Sequence, residues 1–249
     1  MQNKHDSNSP GDGAMKRHRL QLWITLLAFS MGGIFCVAET DFLAHYKGMP
    51  FADDHFHDTP QKIPGKIYCA YYDRGGEGVA YHDTDAKNNG SGALNPADGS
   101  YLNEFRMHEG VDISYTKFSR TPDKIDDTQY DKVQPPPNIL YVGWTVPGEW
   151  FNITVQVEKA GWYSADLLYT SNRGGTIALD VNGERATEPL TIESTADPAD
   201  PIAWRQWHHW NLARGIAKVK LSRGRNVLTV HILTEGQMNL AYFDFKKAD

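Results

Sequence analysis

The sequence predicts an all-β protein, an antiparallel β-sandwich of the jelly-roll type. Short segments of alternating apolar and polar residues recur between turn signals. The chain has 22 Gly and 13 Pro among its 249 residues, and aromatic residues make up 12% of it. Long apolar segments with helical spacing are few, so many short strands joined by turns fit the chain best.

Five segments carry the strand pattern. The clearest runs from 151 to 157, where apolar side chains alternate with polar ones, as in a strand with one buried face. The segment 177–181 repeats the pattern, and Asn182 and Gly183 follow it as a pair typical of a tight hairpin turn. Three further strands are predicted over 217–221, 227–233 and 239–245.

Two long stretches rich in Gly, Asn and Asp, 83–104 and 191–203, are predicted to be loops at one end of the sandwich. Loops held by a rigid scaffold are the common place for binding residues. We therefore expect a binding site at that end.

The first 62 residues are predicted to precede the folded domain. Basic residues at 16–19 and an uncharged stretch from Leu20 to Ala38 fit an export signal over 1–38 that starts at Met1 or Met15. An uncleaved anchor is the alternative, because these 19 uncharged residues are enough to cross a bilayer. Residues 39–62 are predicted to be a polar linker, and 63–249 the folded domain. Both interpretations place the domain outside the cytoplasm, as a secreted, periplasmic or cell-surface protein.

Charge and cysteine content exclude several classes of protein. The net charge is −6 at pH 7, so we expect no nucleic acid as partner, and a membrane only if the N-terminal segment is an uncleaved anchor. Of the two cysteines, Cys36 lies in the export segment, which leaves Cys69 without a partner and predicts that it is buried. We expect no disulfide framework, and a monomer.

A series of motifs in one order resembles family 6 of the carbohydrate-binding modules. The motifs are Ile63–Gly65, Tyr72–Asp73, Gly75–Thr84, Phe105–Arg106, Glu109–Ile113, Val142–Trp144, Gly148–Trp150, Trp204–Trp207 and Met238–Leu240. They span residues 63–245, nearly the whole predicted domain. The resemblance implies a sandwich of the galactose-binding type that binds a polysaccharide or oligosaccharide and catalyses no reaction.

The resemblance also implies the residues of the sugar site. In the family, a cleft at the loop end holds a sugar between two aromatic rings and fixes it with an Asn. Carried over to this chain, these are Phe105, Trp204 and Asn239. Tyr101 is the alternative first ring, because an insertion between Asn89 and Phe105 allows more than one alignment with the family pattern. Phe105 as a core residue and Asn239 as a turn cap are the competing interpretations.

The remaining Trp residues of this region have other predicted roles. Trp150 and Trp207 are predicted to be core residues, and Trp210 fits either the core or the site.

The family commonly holds a structural calcium ion, and this chain departs from that pattern. Two Glu positions of the first strand are Tyr68 and Ala70 here, while Asp244 remains as the candidate calcium ligand. Calcium prefers several oxygen ligands. We therefore predict a calcium site that is weak or absent, and no other cofactor.

Two rival functions remain open. A small glycan-active hydrolase or lyase would need two facing carboxylates, for which Glu77, Asp83, Glu109 and Asp112 are available. A protein-interaction or adhesion sandwich would use the same fold with a different surface. The sequence names neither the glycan nor any enzyme that this domain assists.

Overall fold

The structure, a computed structural model, describes residues 41–118 and 124–248; the predicted export signal or anchor lies outside the described residues. Two β-sheets pack face to face around one core, which confirms the predicted all-β sandwich. Helix is limited in these ranges to α1 (41–45), α2 (Tyr101–Glu104) and two short 3₁₀ turns, Cys69–Tyr71 and Ala203–Trp207. None of the helices described is long and apolar enough to span a bilayer.

The first sheet has seven strands in the described residues, with the main order β1-β6-β12-β8-β10. Numbered along the chain, its strands are β1 (Gln61–Ile63), β3 (Tyr81–His82), β6 (Trp150–Val157), β8 (Gly175–Val181), β9 (Glu184–Arg185), β10 (Leu190–Ile192) and β12 (Gly224–Thr234). All neighbours pair antiparallel except β1 and β6, which pair parallel.

The second sheet has six strands in the described residues, with the main order β11-β7-β13-β5-β4. Its strands are β2 (Gly65–Tyr68), β4 (Ile113–Tyr115), β5 (Leu140–Val142), β7 (Gly161–Ser171), β11 (Asn211–Leu221) and β13 (Met238–Lys247). Strand β13 lies between β7 and β5 and also pairs with β2, so the C-terminal strand ties this sheet together.

The five predicted strands are all present. The 151–157 segment is β6, and Asn182 and Gly183 form the predicted turn between β8 and β9, with φ angles of 51° and 81°. Strand β11 begins six residues earlier than the predicted 217, because a register shift between Ala213 and Ala217 interrupts the alternation on which the prediction rests.

Strand β7 is absent from the sequence prediction although it is central to its sheet. Its odd-numbered residues, such as Tyr163 and Leu167, lie in the main core between the sheets. Leu168 on its other face lies in a second apolar cluster with Tyr141 and Trp210. From Ala165 onward β7 is buried on both faces, and a strand buried in this way loses the alternation of apolar and polar residues that marks a strand.

The predicted linker over 39–62 is wrong for the residues that the structure describes. Phe51 is 6% exposed and belongs to the main core. The Tyr46 hydroxyl donates a 2.8 Å hydrogen bond to Asp73 Oδ2, and Asp53 Oδ1 accepts the backbone N–H groups of His55 and Phe56. Residues 53–58, which are rich in His and Asp, therefore form a turn that packs on the core through the partly buried Phe56, and the folded domain begins before Ile63.

Candidate functional site

A cleft of about 380 Å³ opens at the end of the sandwich where β5 and β12 end and β11 and β13 begin. Apolar and aromatic side chains dominate its lining. The lining residues are Leu94, Tyr141, Trp144, Trp204, Trp207, His208, Gln237 and Asn239. Leu94 comes from the first predicted long loop, and Trp204 directly follows the second, so the cleft lies beside both stretches. We call this site the Trp204 cleft.

The 3₁₀ turn Ala203–Trp207 supplies two of the three indoles of the cleft. In a 3₁₀ turn, side chains three positions apart lie above one another, which brings Trp204 and Trp207 to the same side. Trp204 is 48% exposed, and its ring meets His208 edge-on at a centroid distance of 5.9 Å. The cleft therefore presents a broad apolar ring surface that is open to solvent.

A buried ion pair holds this turn in place. Arg205 donates from Nε and Nη2 to the two carboxylate oxygens of Asp200, at 2.6 and 2.7 Å. His209 Nε2 lies 2.7 Å from Asp200 Oδ2, and all three side chains are buried. The Arg205 hydrogen bonds hold the pKa of Asp200 well below its usual range, despite the opposing effect of burial. Because Arg205 is the neighbour of Trp204 in the chain, the ion pair fixes the turn from which the exposed indole projects.

Asn239 lies beneath the rings at the start of β13. It is buried, and its Nδ2 donates to Thr170 Oγ1 at 2.9 Å and to the Trp207 carbonyl at 2.7 Å. Its Oδ1 accepts no hydrogen bond from the described residues. Gly143 leaves room for this oxygen, because a Cβ there would lie 2.8 Å from it. Asn239 therefore fixes Trp207 and keeps one acceptor for a ligand.

His208 adds a second oriented polar group to the cleft. Its Nδ1 lies 3.0 Å from Asp126 Oδ1, and the same oxygen accepts a 2.7 Å hydrogen bond from Trp210 Nε1. Asp126 is fully buried and acts only as an acceptor here. In the neutral imidazole the proton therefore sits on Nδ1, which leaves Nε2 as an acceptor.

The structure separates the four predicted sugar-site residues into two places. Trp204 and Asn239 line one cleft, whereas Phe105 and Tyr101 line a different pocket of about 720 Å³ together with Phe51, Asp53 and His55. We call this second site the Tyr101 pocket. Phe105 is only 3% exposed. The expected pair of rings around one sugar is therefore not formed by Phe105 or Tyr101 with Trp204.

The N-terminal segment accounts for this separation. The Phe51 ring packs 5.2 Å from that of Phe105, and His55 stacks on Tyr101 at 3.9 Å. The Tyr101 hydroxyl also donates to Asp53 Oδ2 at 2.9 Å. The segment predicted to be a linker thus covers the rings that would otherwise face solvent.

Sequence reasoning missed six of the eight lining residues: Leu94, Tyr141, Trp144, Trp207, His208 and Gln237. The prediction of Trp207 as a core residue is wrong, since it lies on a 3₁₀ turn and lines the cleft, and Trp210 is the fully buried member of this group. The spacing of Trp204 and Trp207 was an available signal. No local pattern marks Trp144 or Gln237, which have positive φ angles of 47° and 55° and are brought in by the turns after β5 and β12.

The four carboxylates considered for catalysis lie away from the Trp204 cleft. Glu109 accepts hydrogen bonds from Tyr72 and Arg106, and Glu77 lies 2.5 Å from His82. Burial and neighbouring carboxylates raise the pKa of Asp83 to about 7 and that of Asp112 to about 6. None of these four side chains lines the Trp204 cleft.

The residues at the implied calcium position do not fit the ion. Tyr68 and Ala70 offer no carboxylate, and Asp244 Oδ2 lies 3.8 Å from Lys246 Nζ, a competing cation. Across 41–118 and 124–248, no group of three or more His, Cys, Asp or Glu side chains has a metal-binding arrangement. No function proposed below depends on a metal ion.

Comparisons with known proteins give distant structural similarity. No protein-family profile matches the chain, and no curated protein sequence matches it. A β-1,3-glucan-binding family 6 carbohydrate-binding module from Bacillus halodurans is similar over 76% of this chain and 98% of its own, with 15% identity and a TM-score of 0.42.

Two further solved structures are similar over about half of this chain. A family 35 carbohydrate-binding module from Clostridium thermocellum is covered to 91% and this chain to 55%, with 18% identity and a TM-score of 0.37. A carbohydrate-binding module from Cellvibrio mixtus lichenase 5A, in complex with cellotriose, is covered to 98% and this chain to 56%, with 18% identity and a TM-score of 0.37. At these scores the similarity says nothing about the ligand of this chain.

Proposed function

We propose that this protein binds a neutral polysaccharide or oligosaccharide in the Trp204 cleft, without catalysing a reaction. The observation that carries the proposal is the half-exposed indole of Trp204, which projects from a turn held by the buried Asp200–Arg205 pair and shares its cleft with an unused amide acceptor on Asn239. An exposed ring that is held rigid loses little conformational freedom when a ligand packs on it.

The chemistry of the lining fits a sugar ring. A pyranose has an apolar C–H face, which an indole covers by dispersion and by removal of apolar surface from water. Its hydroxyl groups need oriented partners, and Asn239 Oδ1 is an acceptor in a fixed position, while His208 Nε2 is a polar partner that accepts when the imidazole is neutral. The volume of about 380 Å³ lies within the range of about 300–1,000 Å³ usual for small-ligand sites.

The charge of the lining supports a neutral ligand. Among the described residues, no Asp, Glu, Lys or Arg side chain lines the Trp204 cleft. An acidic sugar would have to lose water from its carboxylate without gaining a cationic partner, which is unfavourable. A glycosidase needs two carboxylates across the scissile bond, so the same absence argues against the rival hydrolase.

The location and the wider role follow from the sequence. The basic, apolar and small-residue order of 16–38 supports export, as a secreted, periplasmic or cell-surface protein. A sugar-binding domain outside the cell would hold the protein on a polysaccharide and so support the degradation of that polysaccharide by an enzyme. A Trp204 cleft that is lined by one chain alone is consistent with a monomer.

A glycan array tests the proposed function. The protein is applied to an array of neutral and acidic oligosaccharides, and we expect binding to a set of neutral glycans that the Trp204→Ala variant no longer binds. The same glycans are then incubated with the protein and analysed for new reducing ends, of which we expect none. Binding to no glycan, or release of reducing ends, would overturn the proposal.

A further inference from the structure

The outer face of the six-stranded sheet carries a second surface, far from the Trp204 cleft. On β7 the odd-numbered residues are in the core, so Trp162, Ser164 and Asp166 point outward. Trp162 is 49% exposed, about as much as Trp204. Trp162 and Thr170, which lies beneath the cleft, are eight positions apart on β7, or about 27 Å along an extended strand.

The strand register places lysines around Trp162. Residues directly opposite each other on neighbouring strands point to the same face of a sheet. Lys220 lies opposite Trp162, and Ser164 lies between Lys218 on β11 and Lys246 on β13. The Lys218 ammonium lies 5.8 Å from the centre of the Trp162 ring. We call this surface, extended by Lys66 and Arg214, the Trp162 face.

The charges of the Trp162 face do not cancel. The face has two carboxylates, Asp166 and Asp244. Asp166 contacts Lys246 at 2.7 Å and Arg214 at 3.9 Å, and Asp244 lies opposite Lys66. Its five cations are Lys66, Lys218, Lys220, Lys246 and Arg214. The face therefore has a net charge of three positive, on a chain whose net charge is −6. Lys66, Lys218 and Lys220 make no ion pair with the described residues.

We propose that the Trp162 face binds an anionic polysaccharide, a chain that bears carboxylate or sulfate groups. Lys218 and Lys220 are two residues apart along β11, a spacing of about 7 Å, and Lys218 and Lys246 are two strands apart, a spacing of about 10 Å, so a linear chain of charges can meet several of them at once. Trp162 offers the flat apolar surface on which a sugar ring packs.

The nature of the exposed side chains favours a polysaccharide over a lipid surface. Of the large apolar side chains that are exposed in the described residues, only Trp162 lies on β2, β7, β11 or β13. A membrane-binding surface normally has several such side chains, which insert together among the headgroups. One ring within an array of lysines suits a hydrophilic polyanion better.

The test compares matched polymers. Binding of the full-length protein to dextran sulfate, polygalacturonate and unmodified dextran is measured by titration at low and at physiological salt. We expect both anionic polymers to bind more tightly than dextran, which carries no charge, and their binding to weaken as salt screens the charges. Lys218→Gln with Lys220→Gln should lower the affinity about tenfold, and Trp162→Ala several-fold.

The controls separate this surface from the cleft and from net charge. Lys47→Gln with Lys87→Gln removes the same charge from exposed lysines elsewhere and should leave binding unchanged. Trp204→Ala should also leave it unchanged, so failure of the cleft proposal and failure of this one give different results. The inference is overturned if the anionic polymers do not bind, if both lysine pairs have the same effect, or if phosphatidylglycerol vesicles bind while the polymers do not.

Discussion

The Trp204 cleft and the Tyr101 pocket contain rings for which the sequence predicts the same role, and the structure gives them opposite surroundings. Trp204 is 48% exposed and stands on a short turn, whereas Phe105 is 3% exposed beneath the N-terminal segment. Both residues lie in motifs of the same resemblance. The motif therefore gives the position of a side chain in the fold but not its exposure.

The difference arises from what each ring has next to it. Asp200 and Arg205 pair within ten residues of the chain and hold Trp204 outward. Phe105 is covered by Phe51, which lies more than fifty residues away in sequence. A local ion pair creates the open platform, and a distant segment closes the other site.

The largest expected contrast is in stability. Phe105→Ala should lower the free energy of unfolding by about 4 kcal/mol, because a buried Phe leaves a cavity when it is truncated. Chemical denaturation measures this loss, and the remaining folded protein should bind the glycan with the affinity of the parent. A variant that keeps its stability but loses glycan binding would place Phe105 in the sugar site after all.

The ion pair behind Trp204 should have the next largest effect. Asp200→Asn removes the charged carboxylate that pairs with the buried Arg205 guanidinium, and we expect a loss of about 3 kcal/mol in stability. Because the 3₁₀ turn loses its attachment, glycan affinity should also fall at temperatures where the variant is folded. Unchanged affinity in the folded variant would show that the pair does not position Trp204.

Asn239→Ala should lower both the stability of the protein and its affinity for the glycan moderately. Its two donated hydrogen bonds are internal, so their loss should lower the stability by about 1–2 kcal/mol in thermal or chemical unfolding. The free Oδ1 acceptor is lost as well, so glycan affinity should fall about tenfold or less. Thr170→Val is the control, since it removes one internal partner and keeps the acceptor. If both variants bind the glycan equally, Asn239 has only a structural role.

The smallest effect concerns pH and extends the comparison to the loop over 83–112. Burial raises the pKa of Asp83 from its ordinary value of 3.8 to about 7, so the folded state holds this proton more tightly than the unfolded state does. The contribution of Asp83 to stability therefore falls as the pH rises from about 4 to 7, the reverse of the behaviour expected for Asp200.

Asp83→Asn should remove this dependence. Melting temperatures of the parent and the variant should agree near pH 4, and the variant should melt higher at pH 8. A variant that melts lower at pH 8 would show that the ionised carboxylate stabilises the loop.

The sequence predicts this fold well because its evidence is local. The alternation in β6 and the turn at Asn182 and Gly183 need no information from other parts of the chain. Strand β7 and the packing of the N-terminal segment over Phe105 and Tyr101 could not be predicted in this way, since both depend on contacts with distant segments. The net charge of the whole chain likewise says nothing of the lysines that β7, β11 and β13 bring together. In the Trp204 cleft, the resemblance predicted Trp204 and Asn239 as site residues. It assigned no role in the site to Trp144 and Gln237, which the turns after β5 and β12 bring into the cleft.

A calorimetric titration of the Trp204→Ala and Trp162→Ala variants tests the central claim most directly. Both residues are exposed to almost the same extent, at 48% and 49%, so the pair differs in place and not in burial. With the best neutral glycan from the array, Trp204→Ala should lose at least about 30-fold in affinity, the size of an interface hot spot, and Trp162→Ala should match the parent. Both variants should melt within a few degrees of the parent. The account is contradicted if Trp204→Ala binds like the parent, or if its loss of binding comes with the large drop in melting temperature of a core substitution.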